Sequence, residues 1–378
     1  MSDTQETNPA PTPGDAAQRY ELRGMDLAAM QAMLVEAGFQ KYRAQQLHQW
    51  VFRRMALEID DMHNLPRPMR EWLREHTVLA PSTIVRVTGR PGQTQKVLFR
   101  LADGRFVESV VMREPDDEDE GSGPSLCISS QVGCALDCKF CMTGWGGFQR
   151  NLSAGEIVSQ LIEIQRRVMD ESERAQHIVF MGMGEPMHNV EQVVGAIRRL
   201  TDPDGIGISK RRITVSTAGV VSGIERFGAE QLGVGLAVSL NATTDATRES
   251  VMPVNRKWNI DALIGALRRY PLEPRRRVTI EYVLMRGIND TEADARRLVE
   301  LLRGIRCKVN LIMYNETPEL PFRQVDESTL EMFLRTLSRA NMTVTVRWSK
   351  GREIQAACGQ LAAHRKGAGD QESGISHR

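Results

Sequence analysis

Apolar residues in the first quarter of the chain recur every three or four positions, as they do along one face of a helix. Gly38 ends the first of these runs, and a third run begins after Pro66 and Pro68. The pattern predicts a small helical domain over residues 21–80. The first two runs consist of Leu27, Met30, Met33 and Leu34, and then of Leu47, Trp50, Val51 and Met55.

Residues 82–112 show a strand pattern instead, with three β-rich runs over 82–90, 95–101 and 105–112. Ala102-Asp103-Gly104 joins the last two as a hairpin loop, with glycine where a positive φ is needed. The acidic residues 114–120 that follow predict a solvated surface loop.

From residue 125 onward, apolar β-rich runs alternate with amphipathic helical segments. Ser153 and Glu156 have the spacing of a capping box at the start of one such helix. Alternation of this kind predicts a parallel sheet with right-handed crossovers, and the number of units indicates an α/β fold with a partial (β/α) barrel. In that architecture the chemistry gathers at the carboxyl ends of the strands. The predicted strands cover 125–129, 177–182, 212–217, 235–240, 278–284, 308–314 and 343–347.

Composition narrows the class of protein. The 378 residues carry a formal net charge of +1, which excludes a wholly basic nucleic-acid binder but allows a local basic face. No apolar run is long enough for a membrane span and no signal segment opens the chain, so we expect a cytoplasmic protein without a membrane partner. The expected domains are a disordered tail (1–20), a helical accessory domain (21–80) whose basic side chains are equally consistent with a solvated face and with an RNA-facing one, a β-hairpin linker with the acidic loop (81–123), a core (124–352) and a carboxyl-terminal segment with a flexible tail (353–378).

Three of the six cysteines form a C-x3-C-x2-C motif directly after the first core strand, at Cys134, Cys138 and Cys141. A structural zinc site usually takes four ligands, and the loop holds no fourth cysteine or histidine. A [4Fe–4S] cluster on three thiolates keeps one iron open for reaction, which favours the cluster over zinc. With the aromatic Phe140 before the third cysteine, this spacing resembles that of the radical S-adenosylmethionine (SAM) enzymes.

That resemblance implies that SAM binds the open iron and is cleaved to a 5′-deoxyadenosyl radical. The Gly-Glu pair of such enzymes, which meets the methionine ammonium, corresponds here to Gly184 and Glu185. Other candidate SAM contacts end later strands, although each of them could equally cap the following helix. They are Ser216, Ser239, Leu240, Asn241 and Asn315.

The remaining cysteines divide into two kinds. Cys307 begins a strand and is interpreted as a packing thiol. Cys358 lies among small residues just beyond the last strand, and Cys127 stands seven residues before the cluster motif. Alone, each would more often be incidental. Because the last strand of a barrel returns towards the first, the pair suggests covalent carriage by one thiol and disulfide resolution by the other.

Taken in order, SSQVGCALDCKFCMTG, FMGMGEPMHN, SLNATTDATR, MPVNRKW and AACGQL resemble the bacterial RNA adenine C2-methyltransferase (RlmN) family, from about residue 21 to 362. The resemblance implies methylation of an adenine in 23S rRNA at the peptidyl-transferase centre and in tRNA next to the anticodon. The related Cfr family, which methylates C8 of the same rRNA adenine, remains an alternative. A non-catalytic iron–sulfur or zinc RNA-binding protein is a second alternative.

The family's chemistry implies roles for three residues. Cys358 takes a methyl group from one SAM, a second SAM yields the radical that activates this group for addition to C2, and Cys127 then displaces the methylated RNA as a disulfide forms. Glu108, which its strand position alone would leave exposed, matches the proposed proton acceptor. A flavodoxin-like electron donor and a monomeric state are further expectations, the donor by family only.

Overall fold

The computed structural model describes residues 19–113, 123–348, 351 and 354–361. Most of both predicted tails and all of the predicted acidic loop lie outside the described residues. Within the described part of the chain, no helix combines the length and the apolar character needed to cross a membrane.

The amino-terminal region is helical, as its apolar spacing predicts. Asp26 caps the first helix by accepting a hydrogen bond from the Ala29 amide at 2.7 Å. The third helix begins one residue after Pro66 and includes Pro68 in its first turn, where the missing amide is not needed. The helices are α1 (Leu27–Glu36), α2 (Arg43–His48), continued by a π-helical turn (Gln49–Arg53), and α3 (Arg67–His76), with 3₁₀ turns at Leu22–Gly24 and Ile59–Asp61.

This helical region packs on the rest of the chain through a buried ion pair. Arg23 lies 2.7 Å from Glu163, and both side chains are almost completely shielded from solvent. Arg23 also donates to the main-chain carbonyl of Ala56. The pair therefore joins the start of the helical region to a core helix. Two short strands, β1 (Tyr20–Glu21) and β2 (Thr77–Val78), close this region as a parallel pair.

Ten strands form one large sheet in the order β14-β13-β12-β11-β10-β9-β6-β5-β4-β3. A separate two-stranded sheet pairs β7 (Gln131–Gly133) with β8 (Phe148–Asn151). The strands of the large sheet are β3 (Ser82–Thr88), β4 (Gln95–Leu101), β5 (Phe106–Met112), β6 (Ser125–Cys127), β9 (His177–Phe180), β10 (Ile213–Thr217), β11 (Gly235–Ser239), β12 (Val278–Leu284), β13 (Cys307–Met313) and β14 (Val344–Arg347).

Seven strands of the large sheet, β6 and β9 to β14, run parallel, and β3, β4 and β5 join them as antiparallel neighbours. Both edges of the sheet, β14 and β3, stay unpaired among the described strands, so the barrel is open, in agreement with the predicted partial barrel. The hairpin strands extend the core sheet. Gly104, in the β4–β5 loop, has φ 80°, as the turn requires.

Helices cover the crossovers between parallel strands. The predicted capping box is present: Ser153 accepts from the Glu156 amide, and the Glu156 carboxylate accepts from the Ser153 amide. The helices are α4 (Met142–Trp145), α5 (Ala154–Arg167), α6 (Val190–Thr201), α7 (Val221–Ala229), α8 (Asp245–Val251), α9 (Ile260–Arg269), α10 (Glu292–Leu302) and α11 (Glu327–Arg339), with 3₁₀ turns at Pro186–His188, Lys210–Arg212 and Pro253–Arg256.

Candidate active site

The three-cysteine loop folds between β7 and α4. Cys134 directly follows β7, and Cys141 is the residue before the first turn of α4. A glycine permits this loop: Gly133 has φ 76°, and a Cβ there would overlap the carbonyl oxygen of Gly147. The Cys134 amide donates to that same carbonyl at 3.0 Å, which fixes the start of the loop.

All three thiols line one cavity at the carboxyl ends of the parallel strands. Burial raises the pKa of Cys138 well above its ordinary value, and the nearby Cys141 and Cys134 sulfurs raise it further. Three mutually repelling thiolates are a donor set that a cationic group stabilises. Among the described residues, no three His, Cys, Asp or Glu side chains are placed to hold a single metal ion. Three thiols on the wall of one cavity can each ligate one iron of an iron–sulfur cluster.

The Gly-Glu loop forms the next part of the cavity wall. Gly184 has φ 98°, and a Cβ there would overlap the side chain of Gln131. The buried Glu185 carboxylate accepts from the Met187 amide at 2.9 Å and from the Ala218 amide at 2.8 Å. Burial raises the pKa of Glu185, although these hydrogen bonds oppose the shift. An additional cationic partner, such as an ammonium, would stabilise its charged form.

Two predicted serines meet a carboxylate that sequence analysis did not select. The Oε2 atom of the buried Glu281, on β12, accepts from Ser216 at 3.2 Å and from Ser239 at 3.4 Å. Its Oε1 atom lies 3.8 Å from Nη1 of Arg347, at the end of β14. The carboxylate thus joins three strand ends across the cavity. The sequence signal that could have identified Glu281 is an acidic residue inside the largely apolar strand VTIEYVL.

The remaining predicted SAM contacts separate into two groups. Asn241 and Asn315 line the cavity, but Leu240 does not. The Asn241 side chain is occupied, because its Oδ1 accepts from the Val283 amide at 2.9 Å. Leu240 is fully buried, and its carbonyl oxygen accepts from the Arg248 guanidinium. Leu240 therefore stabilises the backbone at the end of β11.

Cys358 lies against the cluster loop. The Gly359 carbonyl accepts from the Met142 amide at 2.7 Å, and the Leu361 carbonyl accepts from the Thr143 hydroxyl at the same distance. Nδ2 of Asn315 donates to the main-chain carbonyl of Cys358 at 3.2 Å. These bonds hold an exposed thiol at the cavity that contains the three cluster cysteines.

A second cavity brings Cys127 and Cys358 together with Arg347. Burial and the nearby Cys358 sulfur raise the pKa of Cys127 to about 12, although the charge of Arg347 opposes this shift. The pKa of Arg347 is raised, mainly by the nearby Cys358. Cys358 lines both cavities, and the two thiols predicted to act as carrier and resolver share one cation.

Glu108 lies on β5 and is buried, contrary to what its strand position alone suggests. Lys96 Nζ is 3.2 Å from Glu108 Oε1 and also donates to the main-chain carbonyl of Gln355 at 3.2 Å. Sequence analysis missed Lys96 and Arg347 because no motif marks them. The position of Arg347 at the end of the last predicted strand was an available signal.

Two family models match this chain. The model described as the radical SAM superfamily matches residues 128–299, and the model described as the ribosomal RNA large subunit methyltransferase N-terminal domain matches residues 20–79.

Named relatives agree with these matches. The chain is 43% identical to the dual-specificity RNA methyltransferase RlmN 2 of Myxococcus xanthus, over 94% of both chains. It is 44% identical to the dual-specificity RNA methyltransferase RlmN of Geobacter sulfurreducens, over 93% of this chain and 96% of the relative. Among solved structures, a radical SAM methyltransferase from Sphaerobacter thermophilus superposes with a TM-score of 0.86 at 43% identity, covering 91% of this chain and 99% of the other.

Proposed function

This chain belongs to the RlmN family of radical SAM methyltransferases, and we propose that it methylates C2 of an adenine in both 23S rRNA and tRNA. The dual-specificity names of its relatives support the two classes of RNA. One observation supports the chemistry above the others. Cys358 lines the cavity of the three cluster cysteines and also the cavity of Cys127 and Arg347, so one thiol is within reach of both.

Cys134, Cys138 and Cys141 would hold the cluster, since their thiols line one cavity and their charges disfavour one another without a cation. A [4Fe–4S] cluster bound there supplies the electron that splits SAM into methionine and a 5′-deoxyadenosyl radical. We assign the surrounding polar groups to SAM binding. They are Gly184, Glu185, Ser216, Ser239, Asn241 and Asn315.

Cys358 carries the one-carbon unit. Its sulfur displaces S-adenosylhomocysteine from the methyl group of one SAM molecule, forming a thioether. A thioether is needed because adenine C2 has no lone pair with which to attack SAM directly. The exposure of Cys358 leaves its sulfur accessible to the methyl group of SAM. Once the 5′-deoxyadenosyl radical takes a hydrogen atom from the S-methyl group and becomes 5′-deoxyadenosine, the methylene carbon left on the sulfur bonds to C2.

The cavity between Cys127 and Cys358 would receive the target adenine. A base inside a stack cannot enter the cavity that Cys358 lines, so the nucleotide must flip outward. Trp348 also lines this cavity and is 59% exposed, which makes it a candidate surface for stacking on the flipped base.

Glu108 and Cys127 complete the cycle. The RNA adduct returns one electron to the bound cluster, which SAM cleavage has oxidised, and Glu108 takes the proton from C2. The Cys127 thiolate then attacks the Cys358 sulfur, an S–S bond forms, and the bond from that sulfur to the transferred carbon breaks. The electron pair of that bond stays with the transferred carbon. Protonation of this carbon then gives the new methyl group. Two electrons from a thiol reductant restore the cysteines.

Outside the site, we propose that the helical region over residues 21–80 contributes to RNA binding, that the protein is a monomer, and that a flavodoxin-like protein delivers electrons to the cluster. The match of residues 20–79 to a methyltransferase-specific amino-terminal model supports the first assignment.

Nucleoside analysis tests the proposal. Anaerobically reconstituted protein, with iron, sulfide, SAM and a reductant, is given a 23S rRNA fragment and a tRNA transcript in separate reactions. We expect 2-methyladenosine in digests of both. 8-Methyladenosine in place of 2-methyladenosine would identify a Cfr-type enzyme. Absence of both 5′-deoxyadenosine and methylated nucleoside would reject catalysis and favour a non-catalytic RNA-binding protein.

A further inference from the structure

We infer that an arginine-lined cavity at the amino-terminal edge of the large sheet binds phosphate groups of the RNA backbone, at a distance from the reacting base. This inference rests on the proposed RNA substrate. The cavity has a volume of about 800 Å³ and is formed by the segments that precede β12, β13 and β14. Its arginines are Arg275, Arg276, Arg277, Arg303 and Arg306.

The charge of this cavity is strongly one-sided. No aspartate or glutamate lines it within the described part of the chain. Glu273, on the same edge of the sheet, forms an ion pair with Lys210 at 2.8 Å and so is matched by another cation. Arg303 pairs with Glu300 at 2.7 Å, but both side chains are well exposed, and such a pair contributes little.

None of the other four arginines forms an ion pair with a carboxylate of the described residues, although Lys210 and, to a smaller extent, Arg276 lower the pKa of Glu273. Arg277 donates to the Thr343 hydroxyl at 2.6 Å, and Arg276 donates to the main-chain carbonyl of Gly233. Arg306 donates to the main-chain carbonyl of Leu272 at 3.1 Å. Arg275 makes no hydrogen bond or ion pair to any described residue. Neutral partners orient the guanidinium groups and leave their charge available to an anion.

Phosphate is the anion that this arrangement suits. A guanidinium group presents paired N–H donors that match two phosphate oxygens, and arginines from two neighbouring segments can contact successive phosphates of one strand. Phosphate contacts position a nucleic acid and supply affinity without reading its sequence. The cavity therefore fits an RNA backbone better than a single small anion.

The arginine cavity lies at the opposite end of the strands from the reactive cavity. β12 and β13 each have seven residues, which places their amino ends about 23 Å from the carboxyl ends that hold the reactive cavity. The edge strand β14 connects the two places. It begins next to Thr343 in the arginine cavity and ends at Arg347 beside Cys358. An RNA that delivers its adenine to Cys358 can follow this open edge.

The structure also distinguishes these arginines from other basic residues concentrated in the sequence. Arg198 pairs with Glu230 at 2.7 Å, and Arg269 pairs with Glu225 at 2.8 Å. Their charges are balanced locally. Arg198 and Arg269 are therefore less available to RNA than the arginines of the cavity.

Matched charge variants of the full chain test the inference. The cavity variant carries Arg275→Gln, Arg277→Gln and Arg303→Gln. The control carries Arg166→Gln, Arg296→Gln and Arg335→Gln, exposed arginines on α5, α10 and α11 that lie outside the cavity. Binding to a tRNA transcript is measured by fluorescence anisotropy from 50 to 300 mM salt, together with thermal unfolding and RNA-free reductive SAM cleavage.

We expect about tenfold weaker tRNA binding for the cavity variant at low salt, and a slope of log K against log salt that is about 2 smaller in magnitude. The control should bind like the unmodified protein, and SAM cleavage should be equal in all three. Equal affinity and equal slope in the two variants would overturn the inference.

Inorganic tripolyphosphate provides the second arm. If it binds the unmodified protein tightly and the cavity variant poorly while tRNA affinity is unchanged, the cavity takes a free polyphosphate, and the assignment to RNA is wrong. Failure of the proposed function would look different: the unmodified protein would yield no methylated adenosine, whatever the affinities of the variants.

Discussion

Lys96 Nζ lies 3.2 Å from Glu108 Oε1 and at the same distance from the main-chain oxygen of Gln355, three residues before Cys358. One ammonium group therefore joins the proposed proton acceptor on β5 to the segment that carries the methyl-transferring thiol. The residues involved stand far apart in sequence, at 96, 108 and 355. They meet because β4 pairs with β5 and the segment 354–361 contacts β4. Lys96 is thus a positioning residue.

Replacing Lys96 with methionine should slow methyl transfer by roughly tenfold to a hundredfold, because charge-assisted hydrogen bonds contribute about 1.5–3 kcal/mol each. Lys96→Arg keeps the charge and should recover most of the rate. The measurement is single-turnover formation of 2-methyladenosine, with RNA-free SAM cleavage followed alongside. If the methionine variant lost both activities equally and arginine rescued neither, Lys96 would support the fold alone.

Cys358→Ala should abolish methyl transfer but leave tRNA affinity, RNA-free SAM cleavage and thermal stability close to those of the unmodified protein. The reason is that Cys358 is exposed, and an exposed side chain away from packing changes stability by about 0.5 kcal/mol or less. Ser328→Ala is the control, since Ser328 is also exposed, lies in the first turn of α11 outside the cavities described above, and should leave methyl transfer normal. Methylation by the Cys358 variant would remove that thiol from the reaction.

The pH dependence of the resolving step follows from the burial of Cys127. Burial raises the pKa of Cys127 to about 12, above its ordinary value, so the thiol is protonated at neutral pH and its thiolate fraction grows about tenfold per pH unit. Decay of the covalent RNA–Cys358 adduct, trapped by acid quench, should therefore accelerate from pH 7 to 10 without levelling near 9.

Arg347 supplies the control for that series. Its charge lowers the pKa of Cys127, so Arg347→Gln should raise this pKa and slow adduct decay at every pH in the range. Arg335→Gln, on the outer helix α11, should leave the decay unchanged. A decay that is independent of pH, or equally slow in both variants, would contradict resolution by the Cys127 thiolate.

The sequence predicted the parts of the site that local spacing encodes. The three-cysteine motif, the Gly-Glu loop and the strand ends at Ser216 and Ser239 were assigned to one rim, and all of them line the same cavity. Helix α5 begins with the predicted capping box because that signal lies within four residues.

Long-range contacts escaped prediction for a physical reason. Glu281 meets two serines and Arg347 only because the five parallel strands β10 to β14 lie side by side, and Lys96 meets Gln355 across 259 positions. Leu240 was assigned to SAM because it stands at a strand end, but its neighbour Asn241 adopts φ 56°, and Leu240 is buried outside the cavity. The position of a residue at a strand end predicts that it lies near the cavity, but the local backbone conformation determines whether its side chain lines the cavity.

Gly184→Ala should destabilise the protein and weaken SAM binding, because a Cβ at this position overlaps Gln131, whose Oε1 accepts from the Glu185 amide at 2.7 Å. Gly287→Ala is the matched control. Gly287 also has a positive φ, 71°, but a Cβ there meets no atom within 4 Å. The control isolates the backbone cost of about 1 kcal/mol. Unfolding midpoints and SAM affinity check the pair, and equal losses in both variants would mean that the contact with Gln131 has no role.

Arg248→Met should reduce the free energy of unfolding by about 3–5 kcal/mol, because it leaves several buried oxygens without a donor. Arg248 is fully buried and donates to the carbonyls of Ala218 and Leu240 at 2.6 and 3.1 Å and to Asn255 Oδ1 at 3.0 Å. Burial lowers the pKa of Arg248 to about 10, so its charge persists at neutral pH.

Arg248→Lys should recover only part of this loss, since an ammonium group cannot span partners that a planar guanidinium reaches together. Urea unfolding measures both variants against Arg256→Met, which removes an arginine that is 72% exposed and pairs with Glu249 at the surface. That control should change stability by about 0.5 kcal/mol or less. If Arg248→Met and Arg256→Met were equally mild, the strand ends of β10 and β11 would be held in register without the guanidinium. The pairing of the strands alone would then determine the shape of the cavity.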